Sequence, residues 1–281
     1  MQATTFSYVA SLEIARKMKK QDGGRKIAHM NAYSAPKASV WKSTTPTTKE
    51  LQLTDVEYRM SARLNLRFQP FAYMDDLPVS CTICDVKHAE NAITRDSWHF
   101  LTCNNVKKDQ YIRHNAIADA LYHTVLVVGG QAVREPKSMS AQDKKRPDLQ
   151  IVLPGHHLVT DVVVTHPLTH PKCKDRSTTT INARIAQSLK HKKYNKIAEA
   201  HHAHLLPFAV ETSGGMAPDA LTLLQIISKS GKEHLGLWSR HEVESYVTSA
   251  VAVSIQRGTA RAMISGYVAT VVRPTVNPDR E

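Results

Sequence analysis

The sequence predicts a mixed α/β core, a sheet flanked by helices, with a small metal-held module in front of it and a helical lead-in before that. Three observations carry this expectation. From Gln131 the apolar period changes from helical to extended, and short runs at 131–135, 148–153 and 158–164 are separated by charged or Pro/Gly turns, so that they read as three adjacent strands. Helical periodicity lies on both sides of them, from Tyr111 to Val128 and from Thr180 to His201. Ahead of them an irregular stretch holds three of the four cysteines.

Each element has a local reason. Residues 12–26 carry six positive and two negative charges and stop at Gly23-Gly24, which reads as a basic helix followed by a loop, serving either as a solvated face or as a nucleic-acid contact. The stretch Ser43–Thr48 is rich in turn residues. Thr54-Asp55 can cap a helix whose apolar positions Val56, Met60, Leu64 and Phe68 recur every four residues. In the Tyr111–Val128 helix, Ile112, Ile117, Ala120 and Leu121 share a side, and Gly129-Gly130 ends it. Leu205–Glu211 reads as a buried strand before Gly214-Gly215, Ala217–Ser228 as a helix, 232–272 as mostly helical, and the last nine residues as a frayed end. No internal repeat is visible.

The chain has 281 residues, 42% hydrophobic and 22% charged, enough to bury a sizeable core and too polar for a membrane protein. Its longest purely apolar stretch, around Val125–Val128, is far short of the roughly 20 residues that span a bilayer, and no signal peptide is visible. Lysine and arginine number 37 against 25 acids, a formal charge of +12, which makes a polyanion such as nucleic acid the first partner to expect. Fifteen histidines beside four cysteines argue against a disulfide-stapled secreted scaffold. They suit a reducing compartment where thiols hold metal.

Cys81-x2-Cys84-x14-His99-x3-Cys103 supplies two chelating pairs with a loop between them, the arrangement that closes a tetrahedral zinc site from three thiolates and an imidazole. The loop is too poor in apolar residues to build its own core, so ligation would supply the missing folding energy. His88 lies inside the loop as the rival ligand, but only His99 has a cysteine four residues on. Four protein ligands leave no open position for water, so the zinc is read as structural.

Downstream, Arg146-Pro147-Asp148-Leu149 opens one strand and Asp161-Val162-Val163-Val164 the next, after a turn at Pro154-Gly155. Asp148 and Asp161 can thus occupy neighbouring strand positions. Two carboxylates that close repel unless a cation bridges them, and hard oxygen ligands favour a divalent ion of the magnesium type. Such an ion supports phosphodiester cleavage. On the following helix Lys190 and Tyr194 share a face among Arg184, Lys192, Lys193 and Lys196. A lysine there can orient water or stabilise developing phosphoryl charge, whereas Lys192 and Lys196 read better as a basic face on DNA phosphates.

The ordered combination resembles the C-terminal part of non-LTR retrotransposon proteins, in which a zinc knuckle precedes a restriction-enzyme-like endonuclease of the PD-(D/E)xK type. The features that carry the resemblance are Cys81, Cys84, His99 and Cys103, then Arg113-His114-Asn115, Glu135-Pro136, Arg146-Pro147-Asp148-Leu149, Asp161-Val162-Val163-Val164 and Lys190-x3-Tyr194. Upstream, Ser34-Ala35-Pro36, Ala38-Ser39-Val40-Trp41, Pro46 and the Asp55–Leu66 segment resemble the linker between reverse transcriptase and nuclease. The likeness covers about residues 33–228.

The expected organisation is a basic, helical linker-like segment over 1–75, a CCHC zinc knuckle over 76–106, a PD-(D/E)xK restriction-endonuclease-like core over 107–230 and a helical extension over 231–281, the knuckle and the core being what the resemblance implies. The resemblance also implies that Asp148 and Asp161 hold magnesium or manganese, that Lys190 assists the attacking water, and that Tyr194 belongs to the same catalytic group. Arg113, His114, Arg184, Lys192, Lys193 and Lys196 would touch DNA, with His114 and Tyr194 also able to support the site. The implied activity is DNA nicking for target-primed integration in the nucleus, with DNA as partner and element RNA as a further candidate. The alternative is an inactive, zinc-stabilised nucleic-acid-binding remnant. Two departures stand out. Val163 replaces the lysine usual after D/E-x, so a helix lysine, Lys190 or Lys193, must take its role. The segment from Asp161 to that helix is long and contains Cys173, which has no assigned role. Tyr73-Met74-Asp75-Asp76 has the form of a polymerase active-site tetrapeptide but lacks the strands of a palm around it, so no reverse transcriptase domain is expected.

Overall fold

Alternation along the strands decides what each face of the sheet touches. In the strand His156–Thr160 (β3), Leu158 points into one apolar cluster and its neighbour Val159 into another. β3 pairs antiparallel with Leu149–Leu153 (β2), which pairs antiparallel with Gln131–Arg134 (β1). On its other edge β3 runs parallel to the short strand His204–Leu205 (β5), giving the order β1-β2-β3-β5. Val162–Thr165 (β4) and Phe208–Glu211 (β6) form a second, parallel pair.

The computed structural model describes residues 32–66, 81, 98–103, 107–139, 146–167, 179–236 and 238–272. They divide into two compact units: one built from Ile27–Gln52 with His114–Gln256, the other including Leu53–Arg113 and Arg257–Glu281. In element order the helices are α1 (Val40–Ser43), α2 (Asp55–Asn65), α3 (His99–Thr102), α4 (Lys107–Val127), α5 (Ile181–Ala200), α6 (Pro218–Leu235) and α7 (Arg240–Val272). The protein is therefore mixed α/β, a mixed sheet flanked by helices. Among the described residues, no helix is long and apolar enough to cross a membrane.

In the sheet-bearing unit, Ile117, Leu121 and Val125 of α4, Leu223 and Ile227 of α6, and Val243, Val247 and Val251 of α7 pack with Leu149, Ile151, Leu158, Val162 and Phe208 in one core. The opposite face receives α5 through Ala183, Ala186, Tyr194 and Ala198. Alanines let that helix lie close to the strands, and each large apolar side chain buried in the main core stabilises the fold by about 1.5–3 kcal/mol. Gly129 ends α4 as its position suggests. Its φ is +79° and a Cβ there would meet the His234 ring at 2.4 Å.

The long apolar run 158–164 is not one strand but two, interrupted at Asp161. The neighbouring run 205–211 is likewise split. The Leu206 amide donates to Val159 O and the Phe208 amide to Asp161 O, so the register is kept across the gap on both sides of Pro207. Asp161 therefore sits at a break in the sheet, where a polar side chain finds partners.

In the other unit, α2 starts with a capping box. Thr54 Oγ1 accepts from the Glu57 amide at 3.3 Å, and the Glu57 carboxylate accepts from the Thr54 amide at 2.9 Å. The buried face of α2 is Glu57, Met60, Ser61 and Leu64, whereas Val56 is 51% exposed and does not share it. Glu57 can be buried because Arg261 Nε donates to it at 2.6 Å. In α4, Ile117 and Leu121 are buried as expected while Ile112 is exposed. The expected basic helix at 12–26, together with Phe68, Tyr73–Asp76, Cys84, His88, Cys173 and the chain end after 272, lies outside the described residues.

Candidate functional site: a carboxylate pair with a lysine, and a cysteine–histidine cluster

The register places Leu149 opposite Thr160, so Asp148 and Asp161, each one residue further along, come together at the end of the β2–β3 ladder. Asp148 is fixed from two sides: its Oδ2 accepts the Val162 amide at 2.7 Å and lies 2.9 Å from His114 Nε2. His114 comes from α4, and the same nitrogen is 3.0 Å from Val162 O while Nδ1 is 3.2 Å from Asn115 Oδ1. Burial alone would lower the His114 pKa. The hydrogen bond to Asp148 and its charge outweigh this, so the net shift is upward.

Asp161 is buried and its carboxylate is ion-paired with the Lys190 ammonium. Its proton affinity is nonetheless raised, first by burial and then by the charge of Asp148, with Lys190 and Tyr194 pulling the other way. A buried carboxylate beside a second one is a donor set that a hard cation would suit, and one or two carboxylates are what magnesium-type ions take from a protein. Lys190 and Tyr194 share a face of α5, as their spacing requires. Tyr194 is buried and donates its hydroxyl to Arg146 O at 2.9 Å, holding the residue two before Asp148. Lys193 points elsewhere, with its ammonium 4.4 Å from the Tyr194 ring centroid, and of the two lysines it is Lys190 that reaches Asp161.

Arg184, Lys192, Lys193 and Lys196 are all exposed on α5. Arg113 differs from its expected place on a DNA-facing surface. It is 4% exposed, its stem packs on Gly258, and its Nε and one terminal nitrogen have no hydrogen-bond partner among the described residues. Desolvation lowers its pKa to about 10, which still leaves it charged at neutral pH. Glu135 adopts a left-handed φ of +44° and uses its amide to hold Asp148 O at 2.8 Å, while its carboxylate pairs with Arg146 at 3.2 Å.

In the other unit, one turn of α3 brings His99 and Cys103 to the same side, with the Cys103 amide donating to His99 O at 2.8 Å. With Cys81 they offer three ligand atoms within 4.8 Å of one another, a group able to hold a metal ion and compatible with structural zinc. Among the described residues no other group of three or more histidines, cysteines or acids is so arranged. Phe100 and Leu101 are buried beside it, and Phe100 lies so close to Gly266 that a Cβ there would meet the ring at 2.6 Å. This anchors the short helix that carries two of the ligands.

Sequence reasoning missed Glu211. It closes an apolar strand run, and an acid in such a run is the signal that marks it. Parallel pairing of β4 with β6 sets it at the start of α5, where the backbone amides of Ala183 and Asn182 donate to it. Burial nevertheless raises its pKa to about 7. Because the folded state binds this proton more tightly than the unfolded chain, the associated stability is present below about 4.5 and lost as pH rises through about 7. Glu211→Gln should flatten that loss and be the more stable protein at pH 8 by up to about 3 kcal/mol in urea unfolding. Parallel pH profiles for the two proteins would refute this account of Glu211. Set against known proteins, the chain matches no protein-family model and no curated protein.

Proposed function

We propose that the chain is a metal-dependent DNA endonuclease with a PD-(D/E)xK-type core and a zinc knuckle, of the kind that nicks chromosomal DNA for retrotransposon integration. The observation that carries this reading is the meeting of Asp148, Asp161 and Lys190 at a break in the sheet, in a chain of net charge +12. Asp148 and Asp161 would hold magnesium or manganese, which supplies Lewis acidity toward a phosphodiester. Asp161 holds the Lys190 ammonium where it can donate to a phosphoryl oxygen as charge develops. His114 fixes Asp148, and the exposed Arg184, Lys192, Lys193 and Lys196 neutralise phosphates without reading sequence. Zinc on Cys81, His99 and Cys103, with Cys84 as the proposed fourth ligand, keeps the smaller module folded. Nuclear residence and a role for element RNA follow from the same reading.

A specific observation favours the inactive-remnant alternative. Lys190 already compensates Asp161, so the carboxylate pair is stable without an added cation. The two readings separate on the helix lysines. Under the nuclease reading, Lys190→Ala lowers the rate of plasmid nicking roughly 100-fold with little change in duplex affinity, while Lys193→Ala weakens binding more than turnover. Equal nicking rates in wild type and Lys190→Ala would contradict the assignment.

A further inference from the structure

Within the sheet-bearing unit, a cleft of about 560 Å³ opens between the strap of residues 37–51 and the start of α7. That lies in the range of roughly 300–1,000 Å³ typical of organic-ligand sites and far above the ~30 Å³ share of a water molecule. We propose that it seats one unstacked, amine-bearing base of a single-stranded nucleic acid, at a place distinct from the carboxylate pair. The inference rests on the nucleic-acid reading above and adds a second binding site to it.

Two side chains carry the argument. Trp238 is 41% exposed at this cleft and stands edge-on to Tyr246, ring centroids 5.9 Å apart at 86°. A large aromatic left in water is a stacking platform, and a base stacked on one contributes about 1–3 kcal/mol. The second is Thr248, which lines the cleft, is only 3% exposed, and has no hydrogen-bond partner for its hydroxyl among the described residues. A threonine inside a helix ordinarily donates to the carbonyl four residues back, as Thr270 does to Gly266 at 2.9 Å in the same helix. Thr248 forgoes that bond, and a buried hydroxyl left unpaired costs about 1–3 kcal/mol unless an occupant of the cleft takes it.

Local charge selects the base over the phosphate. The Lys37 ammonium is already 3.2 Å from Glu244 Oε1, and beside it the lining holds Glu242 and His241 but no other lysine and no arginine, so the cleft offers no unpaired permanent cation to hold an anion. Its carboxylates can instead accept from an exocyclic amine. Adenine and cytosine present such a donor and thymine does not.

The test titrates full-length protein with oligodeoxyadenylate and oligothymidylate, following tryptophan fluorescence, with duplex DNA in parallel. Wild type should bind the adenylate strand more tightly and show quenching. Trp238→Ala should lose about tenfold in that affinity, and Thr248→Val should lose several-fold while melting no lower than wild type. Duplex affinity should be unchanged in both. The proposal is overturned if both variants bind oligodeoxyadenylate as wild type does, or if Thr248→Val melts several degrees lower with unaltered affinity, which would make the hydroxyl a structural group. Duplex binding without any single-strand quenching defeats this inference alone. If wild type binds neither form, the nucleic-acid reading fails and takes this site with it.

Discussion

Cys103→Ser should strip the chain of its zinc and collapse the cooperative melting of the smaller module. The expectation follows from the described residues of that region. Cys81, His99 and Cys103 converge within 4.8 Å, next to a short helix with Trp98, Phe100 and Leu101 buried beside it. Serine keeps the size of cysteine but not the thiolate that ligates zinc. Structural zinc in small modules is worth about 10–16 kcal/mol of apparent binding free energy, so its loss exceeds any packing change the substitution makes. Metal analysis should fall from one zinc per chain to none, and a chelator should lower the wild-type melting temperature in the same way. Identical melting of zinc-loaded and zinc-free protein would show that the cluster is a set of buried thiols without a folding role.

Asp161→Asn should lower metal-dependent nicking by roughly three orders of magnitude, about 4 kcal/mol of transition-state stabilisation, with duplex binding still present and still steeply salt-dependent. Asparagine keeps the shape of the side chain and removes the charge that would hold both the cation and the Lys190 ammonium. The fold should tolerate the change, because burial and Asp148 already press Asp161 toward its neutral form. Asp148→Asn should lower nicking likewise. Asp148 Oδ2 receives both the Val162 amide and His114, so an amide oxygen in its place can keep both contacts while the charge that raises the His114 pKa is lost. Nicking by Asp161→Asn at the wild-type rate would remove the carboxylate from the chemistry.

Local signals in the sequence were legible where chemistry and structure act over a few residues. The helix cap at Thr54, Gly129 after α4, and the shared helix face of Lys190 and Tyr194 each follow from residue type and spacing. The neighbouring positions of Asp148 and Asp161 follow from two strands joined by a tight turn. What was hidden depends on segments far apart. The break at Asp161 is matched by the gap between β5 and β6, on strands formed much later in the chain. The exposure of Val56 and Ile112 is decided by which side of each helix the rest of its unit covers, since apolar spacing alone does not say which apolar residue stays outside. Arg113 reads as a surface cation until Gly258 is brought against its stem. Glu211 acquires its raised proton affinity only because parallel pairing sets it, buried, at the start of a helix.

The most direct test of the nuclease reading is a supercoiled plasmid incubated with the purified full-length protein and magnesium or manganese, with a chelated control. The account predicts open-circular product that depends on the added ion and vanishes in Asp161→Asn. Intact supercoiled plasmid under conditions where the protein demonstrably binds it would contradict the account and leave a zinc-stabilised nucleic-acid-binding remnant.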